Sequence, residues 1–89
     1  MAAQVKIYTR RWCGYCVAAE RLLTSKGIAY EQIDATGNPE LRKWLLEATG
    51  RSTVPQIFID GKPIGGYDDL KALDRTGALD RMLAGAAAP

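Results

Sequence analysis

The chain has 89 residues, of which 47% are hydrophobic and 25% are charged, and its net charge is +2. This size and balance predict one globular domain over residues 1–89 with a single core. No run of basic residues is longer than two, which excludes a basic stripe for nucleic acid, and no long apolar segment predicts a signal peptide or a membrane span. We therefore expect a cytoplasmic protein without nucleic-acid or membrane partners.

The first third of the chain predicts a strand, a helix and a second strand. Residues 4–8 include the β-branched Val5 and Ile7, which is typical of a short strand, and apolar side chains then recur at helical spacing from about residue 14 to residue 26. Gly27 is the kind of residue that ends a helix, and residues 28–34 again predict a strand. Because a helix joins them, we expect the two strands to lie parallel with a right-handed crossover.

A second helix is predicted to begin near Asn38, whose side chain can cap the first turn, and Pro39 suits the first helical position. Gly50 is expected to end this helix. Its predicted buried side chains, which are spaced for one helix face, are Leu41, Trp44, Leu45 and Ala48.

A β-hairpin is predicted after the second helix. Residues 56–59 form an apolar strand, and the pair Asp60 and Gly61 is typical of a tight turn. Residues 62–65 should therefore return antiparallel as a short fourth strand.

The last predicted element is a helix over residues 68–83 that bends at Gly77, followed by a frayed tail at residues 84–89. The complete order is β-α-β-α-β-β-α. This order predicts an α/β fold with a four-stranded mixed sheet flanked by helices.

Both cysteines of the chain, Cys13 and Cys16, lie in the motif C-G-Y-C where the first strand leads into the first helix. A zinc site needs four ligands and the chain has no histidine, while haem attachment needs a histidine where Val17 stands. A stabilising disulfide is disfavoured because so short a loop removes little unfolded-state entropy. Two buried structural thiols stay open as an alternative, but the position of the motif favours redox chemistry.

The position of Cys13 at a helix start indicates an attacking sulfur. Unpaired backbone N–H groups and the positive end of the helix dipole lie there, and Arg10 and Arg11 add positive charge. All of these favour a thiolate. Cys16 follows one turn later on the same side, where it can resolve a mixed disulfide formed on Cys13.

Three motifs in order, C-G-Y-C, T-V-P-Q-I-F-I-D-G and G-G-Y-D-D-L, make the chain resemble a glutaredoxin of the small bacterial dithiol type from about Val5 to Leu83. The resemblance implies the thioredoxin fold and a glutathione-dependent thiol-disulfide oxidoreductase that acts on protein disulfides and glutathionylated proteins. It also implies glutathione as co-substrate, glutathione reductase with NADPH as the source of electrons, no bound organic cofactor, and a monomer.

The resemblance further implies a glutathione site beside the nucleophile Cys13 and the resolving thiol Cys16. A cis proline and a backbone that pairs with the cysteinyl unit of glutathione are expected in the T-V-P loop, and Gly65 with Gly66 should allow close approach. The implied glutathione-binding residues are Arg10, Tyr15, Arg42, Thr53, Val54, Pro55, Gly66, Tyr67 and Asp68.

The charges of three of these residues are complementary to the charges of glutathione. Glutathione carries two carboxylates and one ammonium, so Arg10 and Arg42 offer forked donors for one carboxylate, and Asp68 offers an acceptor for the ammonium. The backbone at the start of the last helix offers donors for the other carboxylate. Structural alternatives remain open: Asp68 and its neighbour Asp69 can be helix caps, and Arg42 can be a solvated surface charge.

The motif departs from the usual C-P-Y-C of the family, because Gly14 stands where proline is common. Some members without that proline bridge a two-iron, two-sulfur cluster between two subunits, using the nucleophilic cysteine and glutathione. An alternative function is therefore a cluster carrier or scaffold, with Cys13 as a ligand and no metal in the apo enzyme. Trp12 and Tyr67 add aromatic bulk at the same rim, which leaves partner preference open.

A second alternative is a redoxin that is reduced by thioredoxin reductase and not by glutathione. The charged residues Arg10, Arg42 and Asp68 speak against it, because they match the charges of glutathione.

Overall fold

A four-stranded mixed sheet forms the centre of the structure, a computed structural model that describes residues 3–87 and the side chains of residues 3–83. The strands in chain order are β1 (Val5–Thr9), β2 (Glu31–Asp34), β3 (Gln56–Ile59) and β4 (Lys62–Gly65). Across the sheet they follow the order β2-β1-β3-β4, with β1 parallel to β2 and antiparallel to β3, and β3 antiparallel to β4. The predicted mixed sheet and its parallel first pair are confirmed.

The helices that flank the sheet are α1 (Gly14–Ser25), α2 (Pro39–Thr49), α3 (Tyr67–Arg75) and α4 (Ala78–Ala87). The side chain of Asn38 accepts a hydrogen bond from the N–H of Leu41 at 3.1 Å, and Gly50 closes α2 with φ +72°. Both caps of α2 are therefore the predicted ones. Within residues 3–87, every helix is too short or too polar to cross a membrane.

Two apolar clusters hold the helices on the two faces of the sheet. The larger cluster joins β1 and β3 to α1, α3 and α4, and its buried members are Val5, Ile7, Ala19, Leu23, Ile57, Ile59, Leu70 and Leu79. The smaller cluster lies beneath α2 and contains Tyr8, Ala35, Leu45 and Phe58. Because side chains alternate along a strand, neighbouring residues of β1 and β3 contribute to different clusters. One face of the sheet is thus covered by α1, α3 and α4, and the opposite face by α2.

The second strand is shorter than predicted, since β2 begins at Glu31 and not at residue 28. The N–H of Gly27 donates to the backbone oxygen of Thr24, and the N–H of Ile28 donates to that of Leu23. These groups close the last turn of α1 and are unavailable for the sheet. Ile28 is apolar because its side chain packs against the larger cluster and not because it belongs to a strand.

The predicted buried face of α2 is wrong at two positions. Leu45 is buried and Leu41 is partly buried, but Trp44 is 45% exposed and Ala48 lies on the surface. The Trp44 ring stacks on Phe58 at a centroid distance of 5.7 Å. One face of the indole therefore packs on the smaller cluster while the rest of the ring remains in solvent.

The predicted bend at Gly77 is confirmed and separates two helices. Gly77 has φ +79°, with α3 ending at Arg75 and α4 beginning at Ala78. The second of these helices extends to Ala87, beyond the predicted end at residue 83. The frayed tail predicted at residues 84–89 therefore overlaps α4, and its last two residues lie outside the described residues.

Candidate active site

The two cysteines lie at the turn between β1 and α1. Trp12 has φ +60°, a left-handed conformation that is rare for a residue other than glycine, and it turns the chain into the helix. Cys13 is extended and occupies the N-cap position, where its Sγ accepts a hydrogen bond from the N–H of Cys16 at 3.2 Å. The sulfur thus stands where a capping serine would place its oxygen. This geometry confirms the predicted place of Cys13 at the helix start.

Cys16 is a buried thiol with only 3% of its surface exposed. Burial, followed by the hydrogen bond with Cys13, raises the pKa of the Cys16 thiol to about 12. Cys13 is partly exposed, and both cysteines are free thiols in the structure. The two sulfurs therefore differ in access to solvent, although they belong to the same helical turn.

The loop before β3 lies against Cys13. The Val54–Pro55 peptide bond is cis, as the family resemblance implied. The thiol of Cys13 points to the backbone oxygen of Val54 at 3.8 Å. The loop therefore presents peptide backbone directly beside the accessible sulfur.

A cleft of about 330 Å³ opens between this loop and the starts of α1 and α3. It is lined by Tyr15, Arg51, Thr53, Val54, Pro55, Gly66, Tyr67, Asp68 and Asp69. The rings of Tyr15 and Tyr67 lie 6.3 Å apart and form one wall. The structure thus brings together every residue implied for glutathione binding except Arg10 and Arg42.

Those two arginines line an adjoining cleft together with Arg51. Arg51, Thr53 and Val54 belong to both clefts, so the two clefts adjoin along this loop. The sequence interpretation missed Arg51. Its place two residues before the T-V-P motif is the signal that could have indicated it.

The two aspartates at the start of α3 have different surroundings. Oδ2 of Asp69 accepts hydrogen bonds from the N–H of Gly66 at 2.9 Å and from Nη1 of Arg51 at 2.7 Å. Arg51, and then the Gly66 N–H, lower the pKa of the Asp69 carboxyl. Asp68 lines the cleft and is exposed, and within residues 3–83 its carboxylate has no hydrogen bond or ion pair. Gly66 is thus the N-cap residue of α3 and Asp69 binds its N–H from the first turn, whereas Asp68 is available to a ligand.

Glycine is required at the start of α3 for steric reasons. Gly65 has φ +112°, and a Cβ at this position would collide with the Asp69 carboxylate. A Cβ on Gly66 would lie 3.2 Å from the backbone oxygen of Pro55. Gly14 in the C-G-Y-C motif differs, because a Cβ there would have no neighbour within 4 Å. That motif position is open to a larger residue.

Trp12 is 98% exposed beside the nucleophilic turn. Together with the half-exposed Val17 it borders a further opening on the other side of Cys13, where Cys16 and Glu20 also lie. Cys13 thus lines an opening that is edged by apolar side chains.

An accessible sulfur backed by a buried thiol one helical turn away is an arrangement that exchanges disulfides, because the first sulfur can form a mixed disulfide and the second can release it. On this thioredoxin-like fold it defines the class of the protein, a thiol-disulfide oxidoreductase.

Comparison with known proteins narrows this class. The family model described as Glutaredoxin matches residues 5–64. Glutaredoxin 3 from Escherichia coli strain K12 is 49% identical over 81 residues, which cover 91% of this chain and 98% of the relative. The chain belongs to the glutaredoxin family, the family that its three motifs resemble, and is a glutathione-dependent thiol oxidoreductase.

Solved structures agree with this assignment. Glutaredoxin from Brucella melitensis is 50% identical with a TM-score of 0.81, and the match covers 90% of this chain and 87% of that one. The buckwheat glutaredoxin–glutathione complex is 33% identical with a TM-score of 0.87, and the match covers 94% of this chain and 79% of that one. The predicted fold class is therefore confirmed.

Proposed function

We propose that the protein reduces glutathione mixed disulfides and protein disulfides with Cys13 as nucleophile and Cys16 as resolving thiol. The Cys13 thiolate attacks one sulfur of the substrate disulfide, a mixed disulfide forms, and the other sulfur leaves as a thiolate. If glutathione remains on Cys13, a second glutathione thiolate displaces the enzyme and yields glutathione disulfide. If a protein remains, Cys16 displaces it and yields the disulfide between the two enzyme cysteines, which glutathione then reduces.

The contrast between the two sulfurs carries this proposal. Cys13 is partly exposed and accepts a backbone hydrogen bond at the helix start, whereas Cys16 is 3% exposed. The accessible sulfur can meet a substrate. The buried sulfur can meet only a disulfide that is already held on its neighbour.

Glutathione is proposed to lie in the cleft beside the nucleophile, with its charged groups bound by side chains of this cleft and of the adjoining one. Arg10 and Arg42 offer forked donors for the glycine carboxylate, whereas Nη1 of Arg51 already donates to Asp69. The exposed carboxylate of Asp68 offers an acceptor for the γ-glutamyl ammonium. The backbone of Val54 offers an edge for the extended cysteinyl unit. The buckwheat relative, solved as a glutathione complex on the same fold, supports glutathione as the ligand.

Glutathione disulfide made in this reaction has to be reduced again, and we propose glutathione reductase with NADPH as the indirect partner. The proposed location is the cytoplasm, where the glutathione pool is kept reduced. One chain carries both cysteines and the complete cleft, which supports a monomer as the active form.

The proposed function is tested with the purified protein and a small glutathione mixed disulfide. NADPH oxidation should be fast with glutathione and glutathione reductase, and should stay at background when thioredoxin reductase replaces both. The reverse pattern would favour the redoxin alternative. Background rates in both arms would contradict the enzyme assignment itself.

Asp68→Ala is expected to raise the KM for glutathione about fivefold in this assay. A partly exposed charge pair contributes on the order of 1 kcal/mol, which corresponds to a several-fold change in affinity. Alkylation of Cys13 by iodoacetamide should stay unchanged, because the substitution leaves the sulfur alone. Arg42→Ala should act in the same direction, because it removes a donor for the glycine carboxylate from the adjoining cleft.

Glu47→Ala is the matched control for Asp68→Ala, because it removes the same charge from an exposed position on α2. An equal rise of KM in the control would assign the effect to net charge. An unchanged KM in Asp68→Ala would place the ammonium of glutathione elsewhere.

The alternative function is that of an iron–sulfur cluster carrier, in which Cys13 would be a cluster ligand. Among the described residues, no group of three or more His, Cys, Asp or Glu side chains is arranged to hold a metal ion. The ligand set for a two-iron, two-sulfur cluster would therefore have to come from Cys13 of two chains together with the thiolates of two glutathiones. The partly exposed Cys13 is accessible to such a dimer, although the fully exposed Trp12 stands next to it.

Gly14→Pro is expected to decrease a cluster-bridged dimer and to raise the melting temperature by a few degrees. Gly14 is the first residue of α1, the preceding Cys13 is extended with φ −109° and ψ 104°, and a Cβ at position 14 meets no neighbour, so proline fits this backbone. The restricted unfolded chain adds about 0.4–1 kcal/mol to the free energy of unfolding. The stiffer helix start, without an N–H, is less able to adapt to a second subunit.

Anaerobic reconstitution with iron, sulfide and glutathione, followed by visible absorbance and gel filtration, measures the dimer. A brown wild-type dimer that Gly14→Pro depletes would favour the carrier function. A colourless wild-type monomer with full activity in the coupled assay would exclude it.

A further inference from the structure

Gln56 is a buried amide for which the proposed reaction has no use. It begins β3, pairs with Tyr8 of β1 across the sheet, and has 1% of its surface exposed. Its Nε2 donates a hydrogen bond to the backbone oxygen of Thr53 at 2.9 Å and another to the Thr53 hydroxyl oxygen at 3.4 Å. Its Oε1 is buried and has no hydrogen-bond partner among the described residues.

The burial of the Oε1 atom of this side chain is energetically unfavourable. An amide oxygen that loses its hydration without gaining a partner costs free energy, and this cost generally matches or exceeds the net gain from one intramolecular hydrogen bond. The other residues of the strand, Ile57, Phe58 and Ile59, are all apolar and buried. An apolar residue at position 56 would suit this core at least as well, so the amide points to a role outside core stability.

The contact partner of the amide indicates what that role is. Thr53 is exposed, and the next residue, Val54, supplies the backbone oxygen that lies 3.8 Å from the sulfur of Cys13. Pro55 follows, and because it has no N–H it cannot donate a backbone hydrogen bond that would hold the loop. The amide of Gln56 therefore supplies a donor that the backbone lacks at this point, and it connects the loop to β3, a strand with neighbours on both sides.

We propose that Gln56 is a positioning residue that fixes the backbone of residues 53 and 54 for pairing with glutathione. The proposal rests on the proposed function for the identity of its ligand. A loop already held in its binding conformation loses little conformational freedom when the tripeptide binds, so affinity is higher. Glutathione affinity thus depends on a side chain that lines neither of the two clefts around the loop.

Gln56→Met tests this role, because methionine has a similar length and no hydrogen-bond donor. The KM for glutathione in the coupled assay is expected to rise about fivefold, the effect of losing one net hydrogen bond. The kcat and the rate of Cys13 alkylation by iodoacetamide should stay unchanged, and the melting temperature should stay unchanged or rise. A purely structural role would give the opposite pattern, with a lower melting temperature and an unchanged KM.

Ile57→Val is the matched control on the same strand. It removes one methylene from a fully buried position, so it should lower the melting temperature and leave the KM unchanged. The proposal is overturned if Gln56→Met keeps the wild-type KM. It is also overturned if both variants lower the melting temperature and both raise the KM.

Hydrogen exchange on the wild-type protein gives a second measurement, which needs neither a folded variant nor bound glutathione. The side-chain amide protons of Gln56 should exchange far more slowly than those of the exposed Gln4. Rapid exchange at Gln56 would overturn the proposal even if Gln56→Met fails to fold. Slow exchange in a wild-type protein that shows no glutathione dependence would instead contradict the proposed function and leave the loop contact supported.

Discussion

Cys13→Ser is expected to lower the turnover of glutathione mixed disulfides and of protein disulfides to the uncatalysed rate. A serine hydroxyl at neutral pH is a far weaker nucleophile than a thiolate. The remaining sulfur, on Cys16, is 3% exposed, so it cannot meet the disulfide of a substrate. The assay coupled to glutathione reductase measures the loss.

The variant should fold normally, which makes this result interpretable. Cys13 is the N-cap of α1, and serine is a preferred residue at that position, so the helix start keeps a side-chain acceptor. Circular dichroism and thermal unfolding check the fold. A folded Cys13→Ser protein with turnover near the wild-type rate would show that the attacking group is a different one.

Cys16→Ser is expected to separate the two reactions of the enzyme. Removal of glutathione from a mixed disulfide needs only Cys13 and a second glutathione, so this activity should persist. Reduction of a protein disulfide should fall strongly, because the mixed disulfide then waits for an external thiol and loses the internal attack from one helical turn away. Turnover of a small glutathione mixed disulfide and of a disulfide-bonded protein, measured side by side, gives the ratio of the two activities.

Val17→Ala is a suitable control for Cys16→Ser, since it alters the adjacent, half-exposed residue of the same helix and leaves both thiols in place. Both activities should be retained in the control. An equal loss of the two activities in Cys16→Ser would mean that Cys16 supports the packing of α1 and does not resolve the protein disulfide.

The residues with redox chemistry could be predicted because they are neighbours in the sequence. The pair Cys13 and Cys16 lies within one turn, and the position of that turn follows from the preceding strand and the apolar spacing of α1. The caps at Asn38 and Gly50 are equally local, since each depends on the conformation of one residue. For the same reason the hairpin after β3 could be placed from two residues, Asp60 and Gly61.

Contacts between distant segments could not be predicted in this way. Arg51 and Asp69 are separated by 18 positions, and their ion pair exists only because the fold brings the loop before β3 to the start of α3. The sequence therefore left open which of Asp68 and Asp69 stabilises the start of α3, where the structure shows that the N–H of the N-cap residue Gly66 donates to Asp69. The exposure of Trp44 could not be predicted either. Helical spacing indicates which residues share a face of α2, but it does not show how much of that face the sheet covers.

The position of Trp12 has a practical consequence. The chain contains two tryptophans, and Trp12 is 98% exposed directly before Cys13, whereas Trp44 lies on α2, is 45% exposed and stacks on Phe58. We expect a substrate sulfur or a peptide that arrives at Cys13 to change the surroundings of Trp12 more than those of Trp44. The protein thus carries its own fluorescent reporter, with which single steps of disulfide exchange can be followed in real time without a label or a coupling enzyme.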